Sequence, residues 1–269
     1  MPMQAAKVRP AAVAGMFYPG SRLALEAKLA ELTGNAPEFP KGGGAVNAII
    51  APHAGYVYSG QVAASAFTAL RQTADRIARV VVIGPAHYVP FRGIAVASAH
   101  AFETPLGRVP VAQERLASIA DLPCVSINDA AHAPEHALEV ELPFLQMLLR
   151  RFELIPLLVG DATPVEVAEV LRIVAIGADT LTIVSSDLSH YYDYDAARAL
   201  DAATAASIER GAWDELTSNN ACGFLPIAGM LIEGVRRGLK VQRLALCNSG
   251  DTAGDRRRVV GYGAWAFTG

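Results

Sequence analysis

Four short runs of this chain are apolar at nearly every successive position: AVNAIIA (45–51), RVVVIG (79–84), ELIPLLVG (153–160) and DTLTIVSSD (179–187). A strand with one wet face alternates apolar and polar residues, whereas a strand buried on both faces does not. The runs are too brief for core helices and are rich in Val, Ile and Leu, so they read as buried strands. GIAVASA (93–99), KVQRLALCNSG (240–250) and VVGYGAWAF (259–267) extend the set.

The segments between them carry helical spacing. SRLALEAKLAELT (21–33) repeats leucine at 25, 29 and 32, with Ser21 as its N-cap and Gly34 as its stop. SGQVAASAFTALRQ reads as a helix capped by Ser59. EHALEVELPFLQMLLRRF (135–152) contains Pro143, which predicts a kink or a restart. TPVEVAEVLRIVAIG has Pro164 in its first turn. DYDAARALDAATAASIERG and CGFLPIAGMLIEGVRRG complete the helices, and GNAPEFPKGGG (34–44) is a loop by composition. Doubly buried strands alternating with amphipathic helices predict an α/β fold: a single three-layer α/β/α domain over residues 1–269. The strand order is not legible at this level.

Composition excludes several function classes. At 52% hydrophobic and 18% charged residues, with a net charge of −3, the chain has a full core and no basic nucleic-acid face. Arg256, Arg257 and Arg258 form its one dense basic run. The start has no apolar h-region, and no stretch approaches the roughly 18 apolar residues of a membrane span. Cys124, Cys222 and Cys247 are far apart and form no C-x-x-C. That pattern suggests a reducing compartment, and the expected location is the cytoplasm.

In open α/β sheets, ligands bind beyond the carboxyl ends of strands. His53 follows the run at 45–51, inside APHAGYVYSG. His87 follows the run at 79–84, and Asp187 and His190 follow the run at 179–187. Asn248, Asp251 and Asp255 follow the run at 240–247. The helix expected to open near residue 135 adds His136 and Glu139, one helical turn apart and so on one face. Histidine is the commonest transition-metal ligand and the usual acid–base near neutral pH. Two histidines with a carboxylate and open positions suit non-haem Fe(II), and zinc uses the same ligand types. Each histidine alone is more often a structural residue. Four of them at element ends, with Asp187 and Glu139, shift the reading toward a site. For His136 and Glu139, bracing a helix is an equal alternative. Tyr56 and Tyr58 read as pocket wall or core, and Cys222 as a buried, inert thiol. G-x-G-x-x-G, G-x-x-x-x-G-K-[ST] and G-x-S-x-G are all absent.

RPAAVAGMFYPG, APHAGYVYSG, IGPAHYVPF, ETPLGRVPV, EHALEVELPFLQ, SSDLSHYYDYDAA, CGFLPIAGML and NSGDTAGDRRRVVGYGAWAF, in that order, resemble the Memo family. Its bacterial and archaeal members are called AmmeMemoRadiSam system protein B. The likeness runs from about residue 9 to the end. It implies a fold similar to the class III, Fe(II)-dependent extradiol ring-cleaving dioxygenases, which bind iron through two histidines and a glutamate and use another histidine as acid–base. By that likeness His53 and His87 match the histidine ligands, and His190, with Asp187 beside it, matches the acid–base. The animal Memo protein has a cysteine as third ligand. Here that position falls on Thr252, a poor ligand, so Asp251 next to it is the carboxylate candidate.

The resemblance therefore implies an oxidoreductase on a small aromatic or heteroaromatic substrate, with Fe(II) as cofactor and zinc or copper as alternatives. His53, His87 and Asp251 would hold the metal, and His190 and Asp187 would be catalytic. Tyr56, His136, Glu139 and Thr252 would contact substrate. Proteins of the AMMECR type and a radical SAM enzyme are the expected pathway partners, and a homodimer is the base-rate assembly. Two other classes stay open: a metal- or peptide-binding module acting through protein contacts, and a metal-dependent hydrolase.

Overall fold

The computed structural model describes residues 7–40 and 44–269, so the loop expected over 34–44 falls partly outside it. The chain runs β1 (Val8–Arg9), α1 (Arg22–Gly34), β2 (Val46–Ala51), α2 (Tyr56–Thr68), β3 (Arg79–Pro85), β4 (Ile94–Val96), β5 (Ala101–Thr104), β6 (Gly107–Pro110), α3 (Gln113–Ala117), β7 (Val125–Ile127) and α4 (Asp129–His132). It continues through α5 (Leu142–Leu148), β8 (Glu153–Val159), α6 (Pro164–Val174), β9 (Thr180–Ser185), β10 (His190–Tyr192), α7 (Tyr194–Arg210), α8 (Phe224–Arg236), β11 (Lys240–Asn248) and β12 (Val259–Thr268).

Nine strands form the main sheet in the order β10-β12-β2-β9-β3-β8-β4-β7, with β11 also paired to β12. The four continuous apolar runs are its centre: β2, β9, β3 and β8 lie parallel. Ile49, Ile50, Ile83 and Ile183 are fully buried there. Each such side chain contributes about 1.5–3 kcal/mol of burial free energy. β12 and β4 close the flanks antiparallel. A separate three-stranded sheet, β1-β5-β6, holds the N-terminal segment.

The helices form two outer layers. On one side α1, α2 and α5 pack on one another, with α2 against β2 and β12. On the other side α6 packs on α8, α8 rests on β3 and β9, and α7 rests on β11 and β12. The three-layer α/β/α expectation is borne out. The α6–α8 approach is close: a Cβ on Gly229 would lie 2.3 Å from Val167 Cγ1. No helix among the described residues is long and apolar enough to cross a membrane.

Local signals decided most boundaries. Ser21 caps α1, its Oγ accepting from Ala24 N. Thr163 and Glu166 close a capping box on α6. Pro143 marks a restart: a 3-10 turn over Glu139–Glu141 gives way to α5, with Pro143 in its first turn. One boundary differs. α2 begins at Tyr56 after Gly55, and Ser59 lies inside it with its hydroxyl donated to Ala54 O at 2.9 Å.

Register places the candidate residues at one level. Ala51 stands opposite Ser185, and Ile83 opposite Val184, so β2, β9 and β3 end together. His53, Asp187 and His87 follow those three ends within a few residues.

Candidate metal centre

His53, His87 and His136 converge. Their ligating nitrogens all lie within 4.8 Å of one another. The ring centroids are 5.1 Å apart for His53–His87, 5.3 Å for His53–His136 and 4.6 Å for His87–His136. His53 is the buried floor, His136 is half-buried and His87 stands at the exposed rim.

Each imidazole is held by its Nδ1. Glu135, 2% exposed, takes His87 Nδ1 at 2.9 Å and His136 Nδ1 at 3.2 Å on the same carboxylate oxygen. It also accepts from His87 N at 2.6 Å and Ala137 N at 3.0 Å. Burial alone would raise the Glu135 pKa, but the hydrogen bonds from His136 and His87 hold it well below the usual carboxylate range. His53 Nδ1 meets Ser185 Oγ at 2.8 Å. Burial, then the neighbouring His87 and His136, push the His53 pKa well below its ordinary value, so its ring is neutral. With Nδ1 engaged on all three rings, Nε2 is the atom each can offer a metal, in His53 by displacing its contact with Cys222. A histidine ligand oriented by a partner on its other nitrogen is the usual arrangement in metal sites.

The donor set fits a transition metal. Metal–imidazole bonds of about 2.0–2.1 Å put the ligating atoms of a tetrahedral ion about 3.4 Å apart. From within 4.8 Å, the rings would need to close by at most about 1.4 Å to share one ion. Cys222 adjoins them: its Sγ lies 3.3 Å from His53 Nε2. Burial, then the Asp187 charge, push its pKa up to about 12, so it is a thiol, and it has Asp187 O as an acceptor at 3.6 Å.

Asp187 is 5% exposed and accepts from the backbone N–H of His53 at 2.8 Å and of Ala54 at 3.3 Å. Burial raises its pKa, opposed by charge on His190. His190 donates Nδ1–H to Leu188 O at 2.8 Å, leaving Nε2 free. It opens a bulge in which Tyr191 takes φ 65°, the left-handed region. A non-glycine residue there costs roughly 1–3 kcal/mol.

The other sequence-derived candidates lie elsewhere or do other things. His136, expected to contact substrate, stands in the histidine cluster that could hold a metal. Asp251, expected as third ligand, is not in that group. Its carboxylate accepts from Tyr194 Oη at 2.5 Å and from Asn248 N at 3.1 Å, closing the turn after β11. Thr252 is exposed and donates Oγ1–H to Ser249 O at 3.2 Å. Tyr56 is core: it is buried against Phe144 and donates its hydroxyl to Val140 O at 2.8 Å. Glu139 shares no face with His136, because the segment is not a continuous helix. It is fully buried, paired with Arg9, and accepts from Ala12 N, Val13 N and Tyr18 Oη. It ties the N-terminal segment to the domain.

Sequence reasoning passed over Glu135 and Ser185. Glu135 stands directly before His136, and a carboxylate opening a buried segment must find donors. That was the available signal.

A cavity of 290 Å³, bounded by Cys222, Pro85, Ala86, Phe91, Phe224 and Leu225, is lined by none of the histidines and reaches the cluster only through Cys222. A larger one, 540 Å³, lies beside Ala78 and Glu153, where β3 and β8 begin, and none of the histidines lines it. Of the two, the smaller is the nearer to the cluster, through Cys222.

The model for "Memo-like protein" matches residues 9–266. A "MEMO1 family protein" of Aquifex aeolicus is 35% identical over 274 residues, covering 95% of this chain and 97% of the relative. One from Methanosarcina mazei is 36% identical, covering 96% and 98%. One from Nitrosopumilus maritimus is 31% identical, covering 97% and 99%. With agreement of this extent over nearly the whole length, the chain belongs to the Memo-like family.

Proposed function

We propose that the protein is a metal-dependent oxidoreductase acting on a small aromatic or heteroaromatic compound. The observation that carries the metal is the trio His53, His87 and His136, with every Nδ1 anchored and, on His53, only the weakly bonding Cys222 sulfur beside Nε2. Iron(II), the metal of the ring-cleaving dioxygenases that the sequence resembles in fold, would supply one-electron chemistry toward O2 and a site for a chelating substrate. Glu135 and Ser185 fix the rings that bind it. His190 Nε2 accepts the proton of a substrate hydroxyl, and Asp187 stabilises the resulting imidazolium. The 290 Å³ cavity, walled by Phe91 and Phe224, takes the ring. An apolar cavity of about 150 Å³ already holds benzene, so one substituted ring fits.

The ligand set also favours a second reading. It is all imidazole, without the carboxylate common in non-haem iron sites, and three histidines with an open position also suit a zinc-activated water. The two readings separate in one experiment. The anaerobic protein loaded with Fe(II) should consume O2 on addition of a catechol, and His190→Ala should abolish that uptake while metal still binds. Turnover of an ester by the zinc-loaded protein, independent of O2, with no catechol-dependent uptake, would replace oxidation with hydrolysis.

A further inference from the structure

Ser185 Oγ has three neighbours at hydrogen-bond distance: Ala137 O at 2.6 Å, His53 Nδ1 at 2.8 Å and Glu141 Oε1 at 3.0 Å. A hydroxyl offers one proton and two lone pairs. Ala137 O is a carbonyl and can only accept, so the Ser185 proton goes to it. Both lone pairs must then accept, one from His53 and one from Glu141. An ionised Glu141 would set two lone pairs against each other in a fully buried place.

We propose that Glu141 is a positioning residue: a neutral carboxylic acid that donates to Ser185 and thereby fixes His53 in the Nδ1–H form, with Nε2 free for a metal. This rests on the metal-binding reading for its purpose, but not for its geometry.

Three further observations agree. Glu141 is 0% exposed, and among the described residues no cation pairs with it. Its Oε2 has no hydrogen-bond partner among the described residues, which a carbonyl oxygen tolerates far better than a carboxylate oxygen. Burial, reinforced by the charge of Asp187, pushes its pKa well above the usual range. The proton order is then Glu141 to Ser185, Ser185 to Ala137 O, and His53 to Ser185. The three ligands are thus held by two different devices. His87 and His136 lean on an ionised carboxylate, and His53 on a hydroxyl backed by a protonated one.

The test needs no loaded enzyme. Nitrogen-15 NMR of the metal-free wild type near neutral pH should show His53 protonated at Nδ1, and infrared spectroscopy should show a buried carboxylic-acid band that Glu141→Gln removes. Glutamine keeps a donor toward Ser185. Glu141→Gln should therefore retain the tautomer and hold Zn(II) within about threefold of wild type. Ser185→Ala should lose the tautomer preference and weaken Zn(II) by about 10–100-fold, the usual cost of removing a partner behind a ligand. An Nε2–H His53 in the wild type, absence of the acid band, or a tenfold or greater loss of Zn(II) in Glu141→Gln would overturn the proposal. If the wild type bound no Zn(II), the metal reading would fail, while the NMR and infrared results would still decide the role of Glu141.

Discussion

Glu135 is where the account of the site is most exposed to test. One carboxylate accepts from two imidazoles, a backbone N–H before the first ring and a backbone N–H after the second. Glu135→Gln preserves shape but replaces one oxygen with an amide NH2. Whichever way the amide turns, a donor faces a donor: His87 N–H in one orientation, both imidazole Nδ1–H groups in the other. The negative charge that favours both Nδ1–H forms is lost in either case. A partner behind one metal-bound histidine is worth about 10–100-fold in affinity. Two rings lose theirs together, so the expected weakening is about 10²–10⁴-fold, or about 2.7–5.5 kcal/mol. The assay is chelator competition for Zn(II) under anaerobic conditions, with thermal melting as the control for folding. A loss of less than tenfold in a folded variant would show that Glu135 does not hold these rings for a metal.

Two stability predictions use groups away from the centre. Glu139→Gln leaves the buried Arg9 guanidinium without its counter-charge and Ala12 N–H without a charged acceptor. Breaking a buried pair in this way costs about 3–5 kcal/mol. Urea denaturation should show that loss as a lower midpoint at an unchanged slope, and a change under 1 kcal/mol would contradict it. His132 is 2% exposed and donates Nε2–H to Ala95 O. Burial, with Arg9 nearby, lowers its pKa from 6.5 to about 4. Between those values the unfolded chain holds more protons than the folded one. The contribution is therefore whole above about pH 6.5 and lost as pH falls toward 4, roughly 3 kcal/mol in all. His132→Gln keeps a donor toward Ala95 but does not titrate, so its stability should fall less steeply across that window, and an identical slope would refute the assignment.

The sheet was legible because β2, β3, β8 and β9 carry a signal that needs no partner: a short, unbroken apolar run has few other places to go. His53 and His87 were legible for the same reason, since a strand end that is buried behind and open in front holds a ligand rigidly. Tertiary pairing hid the rest. Glu139 is 130 residues from Arg9, and neither residue announces the other. Asp251 looked like a ligand by its place beside Thr252, but its carboxylate is spent on the turn that follows β11. His136 and Glu139 looked like one helical face, and the 3-10 turn before Pro143 sends them to different jobs. Strands β1, β5, β6 and β7, of two to four residues each, are too short to show a period at all.

The central claim is that three imidazoles here form one metal site. The most direct measurement is anaerobic titration of the metal-free protein with Fe(II) and with Zn(II), read by elemental analysis after desalting. Wild type is compared with His53→Ala, His87→Ala and His136→Ala. The account predicts one equivalent per chain in the wild type and a loss of at least a hundredfold in affinity in every variant, His136→Ala included. Full binding in His136→Ala with loss only in the other two would place the third ligand elsewhere. No binding by folded wild-type protein would contradict the metal centre itself.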